Sequence, residues 1–198
     1  MLTGIVLAAG ESSRMGSPKP LLKLGDRTFL EKIVDDLKAA GVDNILVVLG
    51  AKAEEIASQI DLSGVKTVYN PDYRRGQLSS LWAALRELPP QTRGVLFTLA
   101  DHPAVKLSTY QKLISAWEEH PDKIAVPLYQ GRGGHPIIFP AALKEEFLQA
   151  PEDQGARAVI YREESRVTKI PVDDAGVKKD IDTRQNYQEL IGEKDERI

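Results

Sequence analysis

Leu7-Ala8-Ala9-Gly10-Glu11-Ser12-Ser13-Arg14-Met15-Gly16-Ser17-Pro18-Lys19-Pro20-Leu21-Leu22 runs straight on from an apolar stretch that begins at Gly4. Small residues at the end of a strand, two glycines, an arginine and a lysine fall together in one loop. Gly10 and Gly16 permit backbone angles that turn N–H groups toward one concavity, a shape suited to phosphate oxygens. Arg14 can grip two phosphate oxygens with its fork, and Lys19 adds a compact positive charge. A Walker A loop is excluded, because Gly16 is followed by Ser17-Pro18-Lys19 instead of Lys-Ser/Thr, and no G-x-G-x-x-G fingerprint is present. The plainer alternative is an ordinary β–α turn carrying surface charges.

Outward from that loop, short apolar runs alternate with helical periodicity. Residues 4–7, 44–49, 65–69, 94–99, 124–128 and 136–139 read as strands, most of them buried on both faces. Leu30, Ile33, Val34 and Leu37 mark an amphipathic helix opened by a Thr28–Glu31 capping box and stopped at Gly41. Ser108 and Gln111 read as a second box, ahead of Tyr110, Leu113, Ile114 and Trp117. A further helix over 77–88 carries Leu78, Leu81, Trp82 and Leu85 and ends at Pro89-Pro90. Alternating β and α elements favour an α/β fold, a parallel sheet covered by helices on both faces, with ligands at the strand ends.

The 198 residues carry 26 Lys+Arg and 29 Asp+Glu, a net charge of −3, which gives no argument for bulk binding to nucleic acid or an anionic membrane. There is no cysteine, so disulfides, thiolate zinc, iron–sulfur clusters and a cysteine nucleophile are excluded. His102, His120 and His135 show no zinc-ligand spacing. No apolar run approaches the ~20 residues that cross a bilayer. The N-terminus starts a strand pattern at once and lacks a basic n-region, so a cytoplasmic protein is expected. One domain over 1–192 is the natural reading, with 193–198 a charged tail.

The motif L-A-A-G-x-S-x-R-M-G-x-x-K-x-L-L resembles the signature of the MobA-like nucleotidyltransferases, and the resemblance extends from Ile5 to about Leu190. It implies a three-layer α/β/α, Rossmann-like nucleotidyltransferase fold with a mostly parallel mixed sheet. By the family pattern Leu7, Ala8, Ala9 and Gly10 border the base and ribose. Arg14 contacts the β and γ phosphates, and Lys19 sits by the α phosphate.

Transfer at phosphorus is mostly positioning and charge neutralisation, so Mg²⁺ held by carboxylates is expected. Asp101 ends an apolar strand, where it either meets such a metal or caps the following turn. The resemblance assigns it to Mg²⁺, although His102 departs from the family's usual residue. Asp180-Ile181-Asp182-Thr183 resembles the family's D-I-D-T element, which gives Asp182 the second metal-holding role and leaves Asp180 as a spare. Thr183 then caps the last helix, and Arg184 replaces the usual proline. Asn70 and the Gly76-Gln77-Leu78-Ser79-Ser80 run match a segment that lies beside the base in relatives, with Ser79 and Ser80 reaching its edge. Without the resemblance, such serines read as helix caps.

Gly131-Arg132-Gly133-Gly134-His135-Pro136 reads as a hairpin turn or as a loop whose Arg132 and His135 meet an anionic acceptor. Asp153 in Asp153-Gln154-Gly155-Ala156-Arg157 reads as an N-cap. The expected activity is transfer of a nucleoside monophosphate from CTP or another NTP to a phosphorylated small molecule, with Lys19, Arg14 and Asp101 catalytic. Leu7-Ala8-Ala9-Gly10 matches the cytidylyl branch, which acts on a molybdopterin-type cofactor; a molybdoenzyme or its chaperone would receive the product. A sugar phosphate or other small phosphorylated alcohol as acceptor, and a nucleotide-binding module without turnover, are the alternatives.

Overall fold

The computed structural model describes residues 1–42, 44–162 and 164–195. In chain order the strands are β1 (Leu2–Ala8), β2 (Lys23–Leu24), β3 (Arg27–Thr28), β4 (Asn44–Leu49), β5 (Lys66–Tyr69), β6 (Gly94–Leu99), β7 (Ile124–Tyr129), β8 (Arg132–Gly133), β9 (Ile137–Pro140) and β10 (Val167–Pro171). The α-helices are α1 (Phe29–Ala39), α2 (Ala53–Gln59), α3 (Gln77–Arg86), α4 (Leu107–Glu119), α5 (Lys144–Leu148), α6 (Arg157–Ile160) and α7 (Arg184–Asp195). Helix α7 therefore runs into the stretch expected to be a charged tail, of which 196–198 lie outside the described residues.

These residues form an eight-stranded sheet in the order β10-β7-β9-β6-β1-β4-β5, with β8 paired to β7. The pairs β1–β4, β1–β6, β4–β5 and β7–β10 are parallel, whereas β9 runs antiparallel to both β6 and β7. The alternation within β1 sends Ile5 and Leu7 to a core shared with α3 and α5, and Val6 and Ala8 to one shared with α1 and α4. A sheet clad on both faces follows, the three-layer α/β/α arrangement that the sequence implies. The chain moves from β1 outward to β4 and β5, then returns to the other side of β1 with β6. The carboxyl ends of β1 and β6 thus flank a topological switch point, where such sheets bind ligands.

Local signals account for much of this. Thr28 Oγ1 accepts from the Glu31 N–H and the Glu31 carboxylate accepts from the Thr28 N–H, so the first capping box forms. The second does not: Lys106 precedes α4, and Ser108 lies inside the helix. Its start is held instead by Asp174, whose Oδ2 accepts from the Lys106 N–H at 2.8 Å and the Thr109 hydroxyl at 2.6 Å. Asp153 likewise does not cap α6, which begins after Ala156 with no side-chain cap. The edge strand β10 was not expected, because its polar residues hide the pairing with β7. Among the described residues no helix is long and apolar enough to cross a membrane.

Asp174 is 2% exposed, and its Oδ1 also accepts from the Gly176 N–H at 2.9 Å. Asp174→Ala strands these donors and is expected to cost about 2–4 kcal/mol, since each buried unsatisfied group costs about 1–3 kcal/mol. Urea unfolding should show a lower midpoint at unchanged slope; a wild-type midpoint would show that Asp174 is dispensable.

Candidate active site

At the switch point lies a cavity of about 500 Å³. Its walls come from Leu7 and Ala8 of β1, the loop from Ala9 to Arg14, Lys19, the start of α3, and the end of β6 from Leu99 to His102. The loop keeps its shape by means other than those expected. Gly16 does take a left-handed conformation, φ +74°, but Gly10 does not; Ser12 does, at φ +52°. The Ser12 hydroxyl accepts from the Lys19 N–H at 3.0 Å, and the Ser12 carbonyl accepts from the Met15 N–H at 2.9 Å. A Cβ on Gly10 would meet nothing within 4 Å, so that position leaves open space. Arg184, at the start of α7, donates to the Met15 carbonyl at 3.3 Å and ties the loop to the last helix.

Three chain segments converge on one ammonium group. Lys19 Nζ, with its side chain only 15% exposed, lies 3.1 Å from Asp101 Oδ2 and 2.5 Å from Asp182 Oδ1. Arg14 Nη2 sits 2.7 Å from Asp182 Oδ2. Asp182 reaches this position because Ile181, fully buried beside Leu24, Phe29 and Leu190, donates its N–H to the Asp101 carbonyl at 2.9 Å. The side-chain hydrogen bond from Lys19 holds the Asp182 carboxyl below the usual carboxylate range; burial opposes the shift and Arg14 reinforces it. Asp101 Oδ1 is buried with no hydrogen-bond partner and lies 3.8 Å from His102 Nε2. Thr183 opens α7 as expected, its Oγ1 accepting from the Asn186 N–H.

The polar helix start is divided in role. Asn70 Nδ2 donates to Ser79 Oγ at 3.0 Å and Ser80 Oγ at 2.9 Å, and Ser79 Oγ donates back to the Gly76 carbonyl. Asn70 and Ser79 stand buried behind the wall, while Ser80 lines the cavity. Tyr73 and Gln77, which sequence reasoning assigned no role, line it too. The G-Q-L-S-S run pointed to this helix start, but nothing in its pattern separates wall from backing.

A second cavity, of about 510 Å³, adjoins the first and shares Gly76, Gln77, Leu99, His102 and Asp180 with it. His135 lines it, and Arg132 does not; Arg132 belongs to the β7–β8 hairpin, paired with Tyr129. Burial first, then His102, Arg157 and Lys178, push the His135 imidazole down to about 3, so the ring is neutral at physiological pH. Two adjoining cavities with a cation–carboxylate cluster at the edge of one are suited to group transfer between two substrates.

Residues 4–167 match the MobA-like NTP transferase domain family. The chain belongs to that family. It is 28% identical over 200 residues to the nicotine blue oxidoreductase of Paenarthrobacter nicotinovorans, covering 96% of each chain. It is 27% identical over 184 residues to the molybdenum cofactor cytidylyltransferase of Escherichia coli K12, covering 92% of each. The crystal structure of Rv0371c from Mycobacterium tuberculosis H37Rv superposes with a TM-score of 0.85 at 31% identity, over 96% of this chain and 97% of that one. A second structure of Rv0371c, at TM-score 0.80 and 29% identity, over 96% and 98%, is a complex with manganese. In this MobA-like transferase domain, Lys19 contacts both Asp101 and Asp182 at the strand ends.

Lys19→Ala removes the strongest contact on Asp182, so the Asp182 carboxyl should titrate at higher pH in the variant than in the wild type. With its pKa depressed in the fold, Asp182 contributes stability above the unfolded carboxylate value of about 3.9, lost as pH falls through the folded value. Carbon-detected carboxyl NMR titration reads both proteins. Identical midpoints would mean that the Lys19–Asp182 contact does not persist in solution.

Proposed function

We propose that this chain transfers CMP from CTP to a phosphorylated acceptor of the molybdopterin type and releases pyrophosphate. The observation that carries the reading is the juxtaposition of two cavities across one wall, with Lys19, Asp101 and Asp182 at the edge of the first. The nucleotide occupies the first cavity, with Arg14 on its outer phosphates and Lys19 by the α phosphate. An acceptor phosphate oxygen in the second attacks the α phosphorus in line; the new P–O bond forms as the bond to pyrophosphate breaks. No covalent enzyme intermediate is needed, and the protein's contribution is positioning and preorganised positive charge.

Asp101 and Asp182 are the residues that would hold Mg²⁺. The unpartnered Asp101 Oδ1 fits a hard cation. Among the described residues no group of three or more potential metal ligands gathers, which suits an ion bound by one or two carboxylates and by substrate phosphates. When bound, Mg²⁺ supplies neutralisation of phosphate charge. The manganese bound by Rv0371c is consistent with such a site.

CTP is favoured over GTP by Ala9. This residue is buried in the wall of the first cavity, backed by Gly50, where an added Cβ would stand 2.9 Å from the Ala9 Cβ; its methyl is the bulk that disfavours a larger base. The oxidoreductase relative names a different chemistry. A redox enzyme could keep the nucleotide cavity, but hydride transfer builds no charge on an α phosphate for Lys19 to neutralise. A molybdoenzyme or its chaperone would receive the product.

The test is pyrophosphate release with each NTP and molybdopterin, run beside reduced-nicotinamide oxidation. Asp101→Asn should abolish release while melting like the wild type, and Lys19→Ala should lower turnover by about 10²–10³-fold, the cost of one such donor. Nicotinamide oxidation without pyrophosphate would overturn the transferase reading. Mg²⁺·CTP should raise the melting temperature more than Mg²⁺·GTP. Saturation at 100 times Kd gives about 2.7 kcal/mol, and each kcal/mol moves a domain of this size by roughly 2–4 °C. Ala9→Gly should narrow the difference. Equal shifts in the wild type would remove the preference for cytosine and leave the transferase reading intact.

A further inference from the structure

The second cavity has an apolar floor of Leu78, Leu81, Phe97, Ile137 and Ile160, and a rim of charged groups of both signs. The side chains of two of its cations, Arg157 and Lys178, make no ion pair or hydrogen bond among the described residues, although Asp153 and Asp180 border the same cavity. The third, Arg75, is held. Its guanidinium donates through Nε to Glu152 Oε2 at 3.3 Å and through Nη2 to Glu152 Oε1. Arg75 also lies 5.6 Å from the centre of the Trp82 ring. Because Arg75 precedes α3 and Glu152 belongs to the loop before α6, their bond joins two sides of the cavity's edge. Arg75 holds the Glu152 carboxyl below its usual range, as a formed pair should.

Resting on the transferase reading, we propose that Arg157 and Lys178 are the acceptor's phosphate-binding residues, and that the Arg75–Glu152 pair is a latch the phosphate opens. A phosphate entering between Arg157 and Lys178 competes with the Glu152 carboxylate for Arg75. An uncharged acceptor of the same body gains nothing by displacing it. Glu152 is thus a specificity residue acting through Arg75: it raises the charge an acceptor must bring. The latch is weak by design, since an exposed ion pair contributes little and is screened by salt. The ligand class is a phosphomonoester with a flat ring system, whose apolar face covers the floor while its polar edge turns to the rim. A hexose phosphate would set its hydroxyls against Leu78, Phe97 and Ile137 with no partner for them there.

The probe is 6-hydroxymethylpterin phosphate, its binding measured by titration calorimetry without nucleotide, with unphosphorylated 6-hydroxymethylpterin and glucose 1-phosphate in parallel. Wild-type protein should bind the pterin phosphate more tightly than either control. Glu152→Gln should tighten pterin phosphate binding about threefold, the scale of an exposed ion pair, and leave the unphosphorylated pterin unchanged. Such a gain cannot come from a damaged fold. Arg157→Ala and Lys178→Ala should each weaken the phosphate form about tenfold, the loss of one charge-assisted contact. The thermal shift with Mg²⁺·CTP should be the same in all three variants. Unchanged or weaker binding in Glu152→Gln overturns the latch. Undiminished binding in Arg157→Ala and Lys178→Ala, or glucose 1-phosphate binding as well as the pterin phosphate, overturns the assigned site. If the wild type shows neither a nucleotide shift nor pyrophosphate release, the transferase reading falls, and the calorimetry still decides the anion site.

Discussion

The Lys19 ammonium group is wedged between two carboxylates, one from the middle of the chain and one from near its end. Each of the three groups carries a charge in a partly enclosed place, and each is tolerable there because the others are present. Lys19 arrives on the loop after β1, Asp101 on the end of β6, and Asp182 on the segment entering α7. The parallel pairing of β1 with β6, Leu7 opposite Leu99, sets the first two side by side. The third depends on Ile181, whose burial and N–H bond to the Asp101 carbonyl bring Asp182 beside the other two. The chemistry at this point is therefore a consequence of sheet register and one buried isoleucine.

The same cluster bears on how the site meets substrate. On the proposed reading, a triphosphate entering the first cavity would offer Lys19 and Arg14 new anionic partners. The carboxylates they leave would then be free for a divalent cation. Cations and anions are matched within the cluster as it stands, and would be matched again, in different pairs, with both substrates bound. Such an exchange keeps every charge partnered at both stages, which limits the desolvation cost of holding four ionised groups together.

Much of the architecture was legible because strands buried on both faces read as continuous apolar runs, and because the Thr28–Glu31 box is local to its helix. Reading failed where a distant residue outbid a local one. Ser108 and Gln111 look like a cap, but Asp174 reaches the start of α4 from far along the chain and satisfies its donors. The loop after β1 stands out by its glycines, yet Ser12, not Gly10, takes a left-handed turn in it, and its hydroxyl bond to Lys19 offsets the strain. The glycine loop offers Arg132 and His135 for an acceptor, or else a hairpin turn. Arg132 lies in the β7–β8 hairpin and does not line the second cavity, whereas Arg157 and Lys178 do. Spacing along a chain cannot show which of several exposed cations share one cavity.

The segment from Asp174 to Asp182 is one of the stretches that border both cavities, with the start of α3 and the end of β6. Asp174 pins it to the start of α4, and Gly176 lies so close to Ala104 that an added Cβ would stand 2.4 Å from its carbonyl oxygen. Val177 accepts from the His135 N–H at 2.9 Å, fixing the wall of the second cavity. Lys178 then faces that cavity, Asp180 borders both, and Asp182 closes the first. A displacement of this segment would carry a cation of one cavity and a carboxylate of the other along with it. The two cavities are thus bordered in common by a short stretch with little regular structure of its own, anchored by a buried aspartate that lies outside both.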